Sequence, residues 1–126
     1  RVDGVTYAAL IATLETYANG DVSSIPFWDQ ALTSYDNLVV RAEAVANSLG
    51  ATVTQGMSAV GAGAVPGVGI PSPVVVVPQS DHLYRPLLEL DPPILTRRES
   101  GALVLDLRTV PPDEDTRLVN SIDQCR

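Results

Sequence analysis

The run that comes nearest to a ligand cradle is Gly61-Ala62-Gly63-Ala64-Val65-Pro66-Gly67. A dinucleotide fingerprint needs a third glycine where Pro66 stands, and a Walker turn needs a lysine, so neither phosphate-binding pattern is met. The segment reads instead as a loop whose glycines let the backbone pass close to something. No lysine occurs anywhere: the eight basic residues are Arg1, Arg41, Arg85, Arg97, Arg98, Arg108, Arg117 and Arg126. A guanidinium keeps its proton at any working pH, whereas a lysine amine can lose it and form an imine. Lysine Schiff-base chemistry therefore cannot reside in this chain alone. His82, the sole histidine, has no Ser or Cys nucleophile pattern beside it, and Cys125 reads as an incidental thiol near a fraying end. Asp113-Glu114-Asp115 is read as compensation of a helix dipole rather than as a metal patch. Arg97-Arg98 is read as a solvated hairpin tip. Arg108 is expected to end a leucine-rich strand, where its fork would meet either a ligand carboxylate or a neighbouring Asp or Glu. Spacing alone leaves both open.

The elements that must position these residues follow from periodicity and breakers. Leu10, Leu14 and Ala18, with Tyr7 and Ile11 beside them, predict a helix over 5–18 that Asn19-Gly20 stops. Residues 21–30 are expected to form an irregular connection whose Ile25, Phe27 and Trp28 plug a core edge. A second helix is predicted with Thr33 and Asp36 as a capping box, a stripe of Leu38, Ala42, Val45 (or Ala46) and Leu49, and Gly50 as its stop. Residues 51–55 form a strand, 56–73 an ordered Gly- and Pro-rich loop, and Val74–Val77 a buried strand between Pro73 and Pro78. Ser80 is expected to cap a helix carrying Leu83, Leu87 and Leu88, ended by Asp91-Pro92-Pro93. A β-hairpin is predicted with residues 94–97 and 102–108 around 98–101, followed by a helix opening near Pro111-Pro112. In Leu103-Val104-Leu105-Asp106-Leu107 the odd positions face one way and should pack down. The resulting fold class is α+β, a two-layer domain with a small antiparallel or mixed sheet and helices mainly on one face.

Length and composition agree with one domain. The chain has 126 residues, 45% apolar and 18% charged, enough to build a core without staples. Residues 1–32 read as a linking helix and connection, and 33–126 as a small α/β domain. Fifteen acidic against eight basic residues give a net charge of −7, which argues against gripping a nucleic-acid backbone. A single cysteine excludes an internal disulfide and a multi-thiolate metal site. The longest aliphatic run, Val74–Val77, is far too short to cross a bilayer, and no secretory signal is expected. An opening Arg in place of Met is what a processed product or a fragment would show.

Taken in order, several motifs resemble the bacterial selenocysteine synthase family, L-seryl-tRNA(Sec) selenium transferases. They are Arg1-Val2-Asp3, Thr6-Tyr7-Ala8-Ala9-Leu10, Ala12-Thr13-Leu14, Ile25-Pro26 and Arg41-Ala42-Glu43. The series goes on with Ser58-Ala59-Val60-Gly61 through Gly67, Asp91-Pro92-Pro93-Ile94 and Leu103-Val104-Leu105-Asp106-Leu107-Arg108-Thr109-Val110. The resemblance implies the C-terminal small domain of a fold-type I pyridoxal phosphate enzyme, its cofactor lysine lying on a preceding segment. It implies a cytoplasmic homo-oligomer that converts seryl-tRNA(Sec) to selenocysteinyl-tRNA(Sec) with selenophosphate, or a close paralogue acting on a small amino acid. It also implies that Arg1 and Arg108 bind anionic substrate groups and that Ser58, Gly61, Gly63 and Gly67 lie on a loop toward the cofactor cleft. No catalytic or metal-binding residue is expected in this chain. The other open reading is a stand-alone, non-catalytic interaction module derived from that domain.

Overall fold

A computed structural model describes residues 1–61 and 67–126. The chain divides into two compact units, Arg1–Thr33 and Ser34–Arg126.

In the first unit, helix α1 spans Gly4–Ala18. Its N-cap is Asp3, whose carboxylate accepts the backbone N–H groups of Val5 and Thr6 at 2.9 Å each and the Thr6 hydroxyl at 2.8 Å. Those donors, the Thr6 N–H first, hold the Asp3 carboxyl below the usual carboxylate range. Gly20, at φ +76°, turns the chain out of the helix. The expected irregular connection is in fact a 3-10 turn, Val22–Ser24, and a short helix α2, Pro26–Leu32. Ile25 is extended, as a residue before proline must be, and Pro26 then occupies the first helical position without losing a needed donor. The aromatic pair does not plug a core edge of this chain: Phe27 is 45% exposed. Phe27 and Trp28 meet edge to face, and the Trp28 indole donates to the Tyr17 hydroxyl at 2.7 Å. No residue of α1 or α2 is buried, because 33 residues cannot enclose a core.

The second unit is built on helix α3, Tyr35–Leu49. Its N-cap is Ser34, accepting from the Asn37 N–H at 3.2 Å, one residue later than expected; the Thr33 hydroxyl donates instead to the Asp29 carbonyl at the end of α2. Leu38, Ala42, Val45, Ala46 and Leu49 form the buried stripe, and Gly50 ends the helix at φ +62°. Strands β1 (Thr52–Ala59), β2 (Gly69–Val77), β3 (Arg97–Glu99) and β4 (Ala102–Asp106) pair antiparallel throughout in the order β1-β2-β4-β3. Helix α4 (Tyr84–Leu88) and helix α5 (Asp115–Cys125) complete the helical layer. Val75, Val77, Leu103 and Leu105 pack with the α3 stripe, Leu87, Leu118 and Ile122 in a single core. The fold is α+β, with a helical layer on one sheet face.

Four expectations are corrected in this unit. Most of the 56–73 loop is strand, since β1 runs to Ala59 and β2 begins at Gly69, passing through Pro71 and Pro73. Ser80 stands at the N-cap of the 3-10 turn Asp81–Leu83 that leads into α4, but its side chain makes no capping bond; its buried hydroxyl donates to the Val77 carbonyl at 2.6 Å and accepts the Leu103 N–H at 2.9 Å, closing the sheet end. Ser100 and Gly101 alone form the β3–β4 turn, at φ +52° and +81°, the type I′ signature. Arg97 and Arg98 therefore lie in β3. Arg98 forks onto Asp81 at 2.6 and 2.7 Å and covers the Tyr84 ring. Finally, β4 stops at Asp106, and Arg108 sits in a following 3-10 turn, Leu107–Thr109, rather than at a strand end.

Candidate functional site

Register places Thr54, Val74 and Asp106 in line across β1, β2 and β4, on the sheet face opposite the helical layer. Ser58 lies four residues farther along β1 on that same face. On a flat sheet the Ser58 and Asp106 Cα atoms would be about 16 Å apart. Instead the Ser58 hydroxyl donates to Asp106 Oδ2 at 2.5 Å. Arg97, in line with Thr52, would be about 22 Å from Met57 on a flat sheet, yet its guanidinium donates to the Met57 carbonyl at 3.0 Å. Both bonds skip intervening strands, so the free end of the β1–β2 hairpin curls over the sheet face opposite α3, α4 and α5. This explains why Val74 and Val104, outside the helix-facing core, are each only 4% exposed.

Asp106 is the centre of what the curl assembles. Its Oδ1 accepts the Ser72 hydroxyl at 2.8 Å and the Arg108 N–H at 3.2 Å. Ser72 is fully buried, and Ser58 and Arg108 are each 5% exposed. The Arg108 side chain donates from Nη2 to the Pro71 carbonyl at 2.8 Å, so a guanidinium takes a ladder acceptor of β2 beyond the end of β4. Beside this cluster a cavity of about 300 Å³ opens between β4 and residues 94–97, lined by Leu95, Thr96, Val104, Asp106, Val110 and Leu118. The Thr96 hydroxyl is buried without a hydrogen-bond partner.

Of the residues singled out from the sequence, Ser58 and Arg108 are thus brought together through Asp106. Gly61 and Gly67 flank the hairpin connection at φ +120° and +82°, and both are exposed. Gly63 lies outside the described residues. Arg1 is exposed and belongs to the other unit, ahead of the α1 cap. Among the acidic run, Asp115 pairs with Arg41 and Glu114 with Arg117. His82 is exposed in the 3-10 turn Asp81–Leu83.

Sequence reasoning missed Asp106, Ser72 and Arg41. The signal for Asp106 was available: a carboxylate inside an otherwise apolar strand is almost never buried without partners. Arg41 is a structural brace. It forks onto Asp115 at 2.9 and 2.7 Å and donates to the Val110 and Leu107 carbonyls at 2.8 and 3.3 Å, joining α3 to α5 and the turn after β4.

Comparison with known proteins matches the sequence of this chain to a family. The family model described as L-seryl-tRNA selenium transferase matches residues 1–111. The L-seryl-tRNA(Sec) selenium transferase of Solidesulfovibrio magneticus is 33% identical over 90% of this chain and 28% of its own length. That of Moorella thermoacetica is 32% identical over 98% of this chain and 29% of its own, and that of Maridesulfovibrio salexigens 33% over 98% and 30%. The chain thus spans less than a third of the length of these curated relatives. With the family model covering 1–111 and these relatives aligned along nearly the whole chain, the chain belongs to the L-seryl-tRNA selenium transferase family.

Proposed function

We propose that the chain is the C-terminal small domain of a pyridoxal phosphate-dependent L-seryl-tRNA(Sec) selenium transferase, or of a close paralogue, and completes that enzyme's active site. The observation that carries this reading is a match to under a third of each relative, in a stretch of 126 residues without a lysine. The residues present do not fit covalent attachment of the coenzyme, because no side chain here offers the amine that an aldehyde cofactor needs. The lysine belongs to the remainder of the enzyme, and this chain contributes binding groups.

Arg1 and Arg108 are the proposed partners of anionic substrate groups. Arg108 is held in place by its side-chain bond to the Pro71 carbonyl and its backbone bond to the Asp106 carboxylate. Ser58, Gly61, Gly63 and Gly67 are proposed to lie toward the cofactor cleft. The whole enzyme would be a cytoplasmic homo-oligomer that takes seryl-tRNA(Sec) and selenophosphate, and the charge of −7 leaves tRNA binding to other parts of it. The absent lysine also suits a second reading, a non-catalytic module derived from this domain.

Co-production of this chain with a lysine-bearing remainder of the enzyme separates the two. Selenocysteinyl-tRNA(Sec) formed only when both pieces are present supports the proposal. Full turnover by the remainder alone favours the module. Mixed with pyridoxal phosphate and borohydride, the chain by itself should acquire no adduct on any internal side chain; one trapped there overturns the argument from the missing amine.

A further inference from the structure

Three strands meet on one carboxylate. Ser58 comes from β1, Ser72 from β2 and Asp106 from the end of β4, and the Ser58 bond reaches across β2. Each bond runs from a buried hydroxyl to a carboxylate oxygen, at 2.5 Å from Ser58 and 2.8 Å from Ser72. Beyond Val74 the strand β2 has β1 on one side, but β4 stops at Asp106 on the other. A two-stranded ribbon is marginal in water and takes its path from whatever it is tied to. Among the described residues the ties include the Asp106 carboxylate, the Arg97 bond to the Met57 carbonyl and the Arg108 bond to the Pro71 carbonyl. Of these, Asp106 alone grips both strands of the ribbon by their side chains.

We propose that Asp106 is a positioning residue: through Ser58 and Ser72 it holds the β1–β2 hairpin curled over the sheet face opposite α3 and so fixes where Ser58, Gly61 and Gly67 stand. The consequence for the reaction rests on the reading above, in which those residues lie toward the cofactor cleft. In this role Asp106 acts through its partners. Its carboxylate is spent on two hydroxyls and the Arg108 N–H, which ties the hairpin and the Arg108 turn to the same point. Displacing it moves both groups at once.

The test uses Asp106→Ala, Asp106→Asn and the double variant Ser58→Ala/Ser72→Ala in the intact protein that carries this chain. Hydrogen exchange by mass spectrometry is read for peptides from 57–61 and 67–72 against α3. Losing two side-chain bonds to the carboxylate should speed exchange in the hairpin about tenfold or more, with α3 unchanged. The double serine variant should do the same. Asn keeps one acceptor and gains a donor, so Asp106→Asn should recover most of the protection. Unchanged hairpin exchange in both the Ala and the double serine variants overturns the clamp, as does an equal rise in α3, which would mean general loosening.

Steady-state selenium transfer supplies the second readout. Here kcat/KM should fall about tenfold or more for Asp106→Ala and by less than about threefold for Asp106→Asn. Released hairpin exchange with unaltered kinetics would uphold the clamp and overturn the placement of Ser58, Gly61 and Gly67 at the cleft. A wild-type protein without transferase activity would sink the enzymatic reading, and the exchange data would still decide the clamp.

Discussion

Replacing Gly56 by Ala tests whether the hairpin curls as described. A Cβ at position 56 would stand 2.9 and 3.0 Å from the two methyls of Val74, and 3.4 Å from the Ser72 carbonyl. Gly56 has ordinary strand backbone angles, so the objection to Ala is space alone. Forcing a methyl into such a gap costs about 1–3 kcal/mol, offset by roughly 0.4–1 kcal/mol from the stiffer unfolded chain. The net expectation is a loss of about 1–2 kcal/mol in urea unfolding, with the slope unchanged. Val74→Ala alone removes two buried methyls and should cost about 2 kcal/mol. In the double variant the new methyl at position 56 fills space that Val74 vacates, so the combined loss should be close to that of Val74→Ala by itself. The cycle therefore predicts a favourable coupling of about 1 kcal/mol or more. Additivity within about 0.5 kcal/mol would mean that Gly56 and Val74 do not press together, and the curled hairpin would have to be abandoned.

Two further outcomes follow from the charged pairs of the second unit. Arg41→Ala should lower stability by about 1–3 kcal/mol in the same assay, because it strands Asp115 and two carbonyls, and Arg41→Lys should recover only part of that, since an ammonium cannot reproduce the two-pronged contact. The hydrogen bond from Arg98 holds the Asp81 carboxyl below its usual range. Its contribution to stability is thus present above the unfolded-state value, near 3.9, and is lost as pH falls through the lower folded value. Carbon-detected NMR titration should place the Asp81 midpoint below that of an unpaired aspartate, and Arg98→Gln should raise it. An unmoved midpoint in Arg98→Gln would assign the shift to something other than the guanidinium.

What the sequence made legible was whatever a short window contains. Helix α3 announced itself through Leu38, Ala42, Val45 and Leu49 and the left-handed stop at Gly50. The β3–β4 hairpin was visible because Ser100-Gly101 supplies both positive φ angles within one turn. The outer half of the β1–β2 hairpin, beyond the predicted strands at 51–55 and 74–77, was hidden for the opposite reason: its local chemistry is glycine and proline, which signal loop, while its pairing comes from register between residues far apart in the chain. Asp106 was hidden likewise, because its serine partners are 34 and 48 positions away in the chain. Family motifs escaped this limit because they combine short matches along most of the chain, and the family model agrees over residues 1–111.

The prolines that masked β2 also explain why its free end can curl. Pro71 and Pro73 are two apart and so present their backbone on the same side of the strand. In an antiparallel ladder a residue's N–H and C=O share a side, and the Pro71 carbonyl is the one that Arg108 reaches. The missing donors therefore face where β4 has already ended, and β2 pairs with β1 at no cost to its ladder. A third strand beyond Val74 would find acceptors without donors, so the ribbon stays two-stranded. Two-stranded ribbons twist more than wider sheets, and the twist carries Ser58 toward Asp106 instead of away from it. Proline placement, the early stop of β4 and the clamp on Asp106 are thus one device. Extending β4 past Asp106 would compete with the curl for the same side of β2.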